Sequence, residues 1–285
     1  MNPTLKVTDI FPGGQKISII AFGRTPRRNL SLKGTTATED LRKSHPDVHR
    51  ALFSLPHIAN YYAPAPDGMT GLVCEKDELG VIIPVTEYVN LHRGVDADGV
   101  YGLKSGEAFV MSSADCALIV VWAQDRYGVI HIIVAHAGRN SLYDANNPDR
   151  PSIVDNIAAH MMSKGVWPVE LKVWIGLSIS AGPHFTHNIN DPRWPNNKKI
   201  VDYALGLGDC CVANNGTLQD PDYSQGWIDI KQIVRSQFVN LSTPPENITL
   251  DSVCTSTDTN PDGSHTWYSQ SRGDSGRNLV IVRID

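Results

Sequence analysis

Two histidines and one cysteine of this chain stand at the borders of β-rich segments, beside turns. They are His92, Cys116 and His136. Strand ends beside turns are where α/β proteins collect functional side chains. Thiolate and neutral imidazole are ligands that zinc prefers, and three protein ligands with one open position are typical of catalytic zinc. These residue types therefore indicate a zinc site built from two histidines and one cysteine.

Spacing alone leaves other roles open for the same residues. The three lie far apart in the chain and form no local ligand motif. A buried thiol that only packs and a histidine that only forms hydrogen bonds would produce the same pattern. The thiol of Cys116 with His136 as its base would instead make a nucleophile for hydrolysis of an amide or ester. Asp115, next to Cys116, is predicted to orient a ligand or act as an acid or base, and a turn-capping role is equally open.

The segments that must position these side chains are β-rich. Residues 116–123 and 129–135 form nearly unbroken apolar runs, which is typical of strands covered on both faces. Further strands are predicted at 16–22, 81–89, 107–112, 171–179, 248–253 and 278–284. Helices are predicted at 38–55 (interrupted by Pro46), 151–164 and 227–239, and a polar surface loop at 188–199. The fold class predicted is α/β: a single layered domain over residues 1–285, with mixed β-sheets and outer helices.

Composition excludes several classes of function. The 285 residues contain 25 Lys+Arg and 30 Asp+Glu, a formal net charge of −5, which is a poor balance for a nucleic-acid partner. No run of apolar residues is long enough for a transmembrane helix, and residues 1–15 lack the apolar block of a signal peptide. The five cysteines include no CxxC pair, so free thiols are expected rather than a disulfide framework. We therefore expect a cytoplasmic protein without membrane contact.

Several short motifs occur in a recognisable order along residues 20–283. They are Asn90-Leu91-His92, Ala97-Asp98-Gly99-Val100, Ala114-Asp115-Cys116, Ala135-His136-Ala137-Gly138, Trp174-Ile175-Gly176-Leu177-Ser178-Ile179, Cys254-Thr255, Tyr268-Ser269 and Gly276-Arg277. This series resembles the YfiH-like family, which is labelled laccase-domain or polyphenol oxidase. The chain departs from the family pattern where Asn90 replaces Gln, Arg139-Asn140 follow Gly138 without a Trp, Leu177 replaces Pro, and Gln270 and Ser271 interrupt the closing motif. It therefore resembles a divergent member.

The resemblance implies both a fold and an activity. It implies two sheets with outer helices, and zinc bound by His92, Cys116 and His136. It implies phosphorolysis of adenosine, inosine or methylthioadenosine together with adenosine deamination, so the expected partners are purine nucleosides and phosphate. It also implies pocket roles for Arg50, in the pair His49-Arg50, and for Arg277.

Two further interpretations remain beside this one. The family label read literally implies a copper-dependent laccase, but such sites use His-x-His pairs, and none occurs among the ten histidines. Copper bound at the same two histidines and cysteine would still give weak phenol oxidation. A non-catalytic metal-binding module is the other alternative. The preferred nucleoside and the oligomeric state do not follow from the sequence.

Overall fold

Two mixed β-sheets form the centre of the protein. The structure is a computed structural model that describes residues 4–10, 16–24, 30–32, 40–55, 57–66, 70–181, 192 and 194–285. Its strands are β1 Leu5–Ile10, β2 Lys16–Phe22, β3 Asn60–Tyr62, β4 Val73–Glu75, β5 Val81–Pro84, β6 Asn90–Arg93, β7 Gly99–Tyr101, β8 Glu107–Ser113, β9 Ala117–Gln124, β10 Ile130–Ala137, β11 Lys172–Gly176, β12 Ile248–Leu250 and β13 Asn278–Ile284. Its helices are α1 Leu41–Ser44, α2 Pro46–Phe53, α3 Arg139–Leu142, α4 Ile153–Ser163, α5 Trp194–Leu207 and α6 Ile230–Asn240.

The described strands pair into two sheets that pack face to face. One has the order β1-β2-β13-β8-β3-β6-β5 and the other β12-β11-β9-β10-β7-β4. Apolar side chains from both sheets, such as Phe109 on β8 and Val134 on β10, share one buried cluster between them. Helices α1 and α2 cover the outer face of the first sheet, and α4, α5 and α6 cover the outer face of the second. The predicted α/β class with layered mixed sheets and outer helices is confirmed.

Strands β9 and β10 lie inside the second sheet and explain the two unbroken apolar runs. They pair antiparallel, with Val120 opposite Val134. Alternate residues point to opposite faces of a strand. Val134 therefore faces the other sheet, while Ile133 and Ala135 face the helices. Because both faces are covered, neither strand needs polar alternation, as the sequence pattern indicated.

The prediction of a loop at residues 188–199 is wrong from Trp194 onward, where α5 begins. Residues 188–191 and 193 lie outside the described part of the chain. Proline is tolerated in the first turn of a helix, where its missing N–H has no partner to lose, so Pro195 does not oppose this helix. Ile200, Val201 and Ala204 then bury one face of α5 against the second sheet. The sequence analysis missed the helical spacing of these apolar residues because the segment begins with polar residues.

Two other helix boundaries differ from the prediction. The predicted helix at 38–55 forms two helices, α1 and α2, separated at His45, because Pro46 cannot donate a backbone hydrogen bond. The predicted helix at 227–239 begins later, at Ile230, because the Asp229 side chain accepts a hydrogen bond from the backbone N–H of Gln232 and caps the helix there.

Two glycines give a matched test of this packing. A Cβ on Gly176 would clash with the Asp251 carboxylate and the buried Trp174 ring, whereas a Cβ on Gly206 in α5 meets no atom within 4 Å. We expect Gly176→Ala to lower the free energy of unfolding by about 1–3 kcal/mol. Gly206→Ala should raise it by about 0.5–1 kcal/mol, because alanine loses less backbone entropy in a helix. Urea unfolding of both variants measures this. Equal effects would show that the described packing around Gly176 is wrong.

No helix in the described part of the chain is long and apolar enough to cross a bilayer.

Candidate functional site

Cys116 and His136 come together at one end of β9 and β10. Cys116 directly precedes β9, and His136 lies near the end of β10, opposite Leu118. The antiparallel pairing therefore brings together two residues that are distant in sequence. Both line a cavity of about 680 Å³. The structure thus gathers two of the three predicted metal ligands.

The surroundings of His136 favour its charged form. Its Nδ1 lies 3.5 Å from Oδ1 of Asp98, and the two side chains of His136 and Cys116 also interact. Burial by itself would lower the pKa of His136, but its electrostatic and hydrogen-bonding interactions with Cys116 and Asp98 outweigh burial and raise this pKa to about 10. A metal that binds here must therefore displace a proton from His136.

Asp98 is a site residue that the sequence analysis did not single out. Its side chain is fully buried, and its Oδ2 accepts a hydrogen bond of 2.8 Å from the backbone N–H of Gly71. Its backbone carbonyl accepts a hydrogen bond of 2.7 Å from the backbone N–H of His136. These contacts hold the carboxylate against the imidazole, which is how partners of ligating or catalytic histidines are placed. The only signal in the sequence was its presence in the motif Ala97-Asp98-Gly99-Val100.

His92 takes a different position. It lies on β6, where its ring stacks on Tyr62 with 4.7 Å between centroids, and its Nε2 lies 3.0 Å from Oδ1 of Asn60. Burial lowers its pKa. It does not line the cavity that contains Cys116, whereas its neighbour Arg93 does. Successive side chains of a strand point to opposite faces, so these two neighbours face different surroundings.

No group of three or more His, Cys, Asp or Glu side chains is placed to hold a metal ion within the residues that the structure describes. The thiol and imidazole of Cys116 and His136 are the correct donor types for zinc. His92 remains a ligand by prediction only.

Asp115 lies beside the cavity and forms hydrogen bonds to two residues of the C-terminal segment. Its Oδ1 accepts a hydrogen bond of 2.7 Å from the Thr255 hydroxyl, and its Oδ2 accepts one of 2.7 Å from the backbone N–H of Ser271. Its own backbone has a positive φ of 82°, which aspartate tolerates better than most residues. Asp115 is 2% exposed and does not line the cavity. The geometry assigns it to positioning the Cys116 turn against the C-terminal segment.

Some arginines line the cavity, and others form contacts elsewhere in the protein. Arg277 lines the cavity, as do Arg93 and Arg139, which the sequence analysis did not select. Arg50 lies outside the cavity lining, on the exposed side of α2, where it pairs with Asp47 at 3.3 Å. Arg272 donates to the backbone carbonyls of Thr255, Ser256 and Trp267 and pairs with Asp274, so it holds the C-terminal loop together.

The layers and the cavity together define a four-layer α/β protein with a Cys–His site at strand ends of its second sheet. The chain belongs to the YfiH-like family: residues 80–285 match the family described as multi-copper polyphenol oxidoreductase laccase. That description is of an enzyme family associated with a metal. No curated protein matches the sequence.

Three solved structures share the fold. Protein YfiH of Bacillus licheniformis is 15% identical, with a TM-score of 0.59 over 95% of this chain and 93% of that one. YlmD of Geobacillus stearothermophilus is 18% identical, with a TM-score of 0.61 over 94% and 91% of the two chains. Protein NMB0706 of Neisseria meningitidis is 19% identical, with a TM-score of 0.61 over 98% and 99%. At these identities the likeness establishes the fold alone.

Proposed function

We propose that the cavity beside Cys116 and His136 is the active site of a purine nucleoside phosphorylase. Its substrates are adenosine, inosine or methylthioadenosine, and adenosine deamination takes place in the same cavity. The observation that supports this most is the cavity lining, in which Cys116 and His136 stand near three arginines, with no Asp or Glu among the lining residues that the structure describes. Such a lining suits a neutral nucleoside together with an anionic co-substrate.

The two reactions make different demands on the cavity. In phosphorolysis an oxygen of phosphate bonds to ribose C1′ while the bond from C1′ to the purine nitrogen breaks. Its electron pair leaves with the purine, which takes up a proton. In deamination, water adds at purine C6 and ammonia leaves. The arginine side chains hold the phosphate beside the nucleoside, so that one of its oxygens reaches C1′.

Zinc is the metal proposed for this site, held by Cys116 and His136. Asp98 orients the imidazole in the way that second ligand shells do. A zinc with an open position supplies Lewis-acid polarisation and a lowered pKa of water. The fit is partial, because the described residues supply two protein donors and His92 is not beside them. Metal analysis of the purified chain therefore belongs to the test.

The test is incubation of the purified, zinc-loaded chain with inosine, with and without phosphate. We expect hypoxanthine and ribose 1-phosphate in equal amounts, formed only with phosphate, and about one zinc per chain. Adenosine should give inosine or hypoxanthine in the same preparation. If zinc-loaded protein releases neither base nor ribose 1-phosphate from any of the three nucleosides, the proposed function is wrong.

A thiol hydrolase is the second candidate, and one observation favours it. Cys116, His136 and Asp98 follow each other in the order nucleophile, base and orienting carboxylate that thiol and serine hydrolases use. Its signature is alkylation of Cys116 by iodoacetamide faster than that of the exposed thiol of Cys210, with loss of esterase activity, in protein that contains no metal. About one zinc per chain that protects Cys116 from alkylation favours the phosphorylase instead.

The copper oxidase is tested in the same preparations. Copper-loaded protein that oxidises a phenol faster than zinc-loaded protein releases hypoxanthine would support the literal family description.

A further inference from the structure

We propose that Arg93 is the centre of a binding site for inorganic phosphate in the wall of the Cys116 cavity. The proposal rests on the proposed phosphorylase function and names the residue that holds its co-substrate. Arg93 is the last residue of β6, and its side chain lines the cavity.

The first observation is an unpaired buried charge. Arg93 is only 9% exposed, and its guanidinium forms no hydrogen bond or ion pair with any residue in the described part of the chain. Burial lowers its pKa, with no neighbouring charge acting on it. Burying an unpaired charge is costly, so buried arginines are normally paired. An anion bound in the cavity would supply the missing partner.

The second observation is the charge of the remaining lining. Arg139 and Arg277 also face the cavity, and none of the lining residues in the described ranges is Asp or Glu. Arg139 donates to the Asn197 side chain at 3.1 Å, and Arg277 donates to the backbone carbonyl of Gly276 at 2.9 Å; both of these partners are uncharged. Apart from Cys116, His136 and the arginines, the polar side chains in the described lining carry hydroxyl or amide groups: Ser31, Ser112, Ser113, Asn140 and Gln270.

This combination fits a tetrahedral dianion. Guanidinium groups bind phosphate through pairs of parallel hydrogen bonds, and hydroxyl and amide groups satisfy its remaining oxygens. A planar carboxylate with one negative charge would leave more of the positive charge unpaired. The cavity also contains Cys116 and His136, so phosphate bound at Arg93 would share the space with the proposed nucleoside.

The test is titration of the full chain with inorganic phosphate, followed by calorimetry and thermal unfolding. Arg93→Met should weaken phosphate binding about 10- to 100-fold, the loss expected for charge-assisted hydrogen bonds. Without phosphate, Arg93→Met should melt at the same temperature as the wild type or a few degrees higher, because it removes an unpaired buried charge. Arg126→Met, which removes an exposed arginine in the turn between β9 and β10, is the matched control and should bind phosphate normally.

A second ligand, ribose 5-phosphate, and a second variant, Arg93→Lys, test which ligand the site binds and whether the guanidinium is needed. Ribose 5-phosphate that binds more tightly than inorganic phosphate would assign the site to a phosphate ester and overturn the proposal. Arg93→Lys keeps the charge without the planar fork, and we expect intermediate affinity, which keeps the test valid if Arg93→Met folds poorly. Normal phosphate binding by both Arg93 variants, or none by the wild type, also overturns it.

Failure of this proposal can be told apart from failure of the proposed function. Phosphate binding that depends on Arg93, without base release from any nucleoside, leaves the site standing and removes the phosphorylase. Phosphorolysis in which Arg93→Met keeps the wild-type KM for phosphate leaves the phosphorylase standing and removes the role of Arg93.

Discussion

Replacing His136 with alanine is expected to lower the rate of phosphate-dependent hypoxanthine release by about two to four orders of magnitude. His136 is the side chain that links Cys116 to the buried Asp98, and all three meet at one end of the second sheet. Its removal takes away an imidazole that serves as a ligand in the proposed function and as a base in the alternative. The measurement is the initial rate of hypoxanthine formation at saturating inosine and phosphate.

His131→Ala provides the matched control. His131 lies on the same strand, but its ring contacts Tyr101 and Asp125 and not the cavity. We expect this variant to retain activity within a few-fold of the wild type, provided that its folded fraction is unchanged. A His136→Ala variant with wild-type rate would remove the Cys116 cavity as the active site.

Metal content tells the two roles of His136 apart. In a zinc site, His136→Ala should lower the zinc bound per chain, and added zinc should restore part of the activity. In a thiol hydrolase neither protein contains zinc, and His136→Ala instead slows alkylation of Cys116.

Replacing Asp115 with alanine should lower the free energy of unfolding by about 3–5 kcal/mol. The substitution leaves the Thr255 hydroxyl and the Ser271 N–H without the buried carboxylate that now accepts from both. It also places alanine at a positive φ, which costs about 1 kcal/mol more. Urea unfolding gives the free energy, and the activity of the variant should follow its folded fraction.

Asp262→Ala is the matched control for this loss. Asp262 also accepts one backbone N–H and one hydroxyl, both from Ser264, but these hydrogen bonds are exposed to solvent. We expect its removal to change the free energy of unfolding by less than about 1 kcal/mol, because water replaces the lost partner.

Asp115→Asn tests the acid–base role that the sequence suggested. Asparagine tolerates the positive φ and can still accept one hydrogen bond and donate another, so the loss of stability should fall to about 1–2 kcal/mol. Near-normal kcat in this folded variant agrees with a positioning role. A large fall in kcat with unchanged stability would assign Asp115 to the chemistry instead.

Strands β9 and β10 of the second sheet could be predicted because the local sequence shows that they are buried. An unbroken apolar run such as residues 117–123 is stable only where both faces are covered, and the structure covers β9 with helices on one side and the first sheet on the other. Helix α5 could not be predicted in the same way, because its start is polar and contains Pro195. Its apolar face becomes evident only against the sheet that it covers.

Local sequence determined that Cys116 and His136 stand at strand ends, and the structure adds that antiparallel pairing places them side by side. Only the tertiary structure decided whether His92 or Arg93 faces the cavity. Alternation along a strand places neighbouring side chains on opposite faces, but it does not determine which of the two faces lies against the cavity. It also brought Asp98 to His136, because β7 pairs with β10. Side-chain type and strand alternation are local properties, whereas the meeting of residues from separate strands depends on sheet order and register, which long-range packing sets.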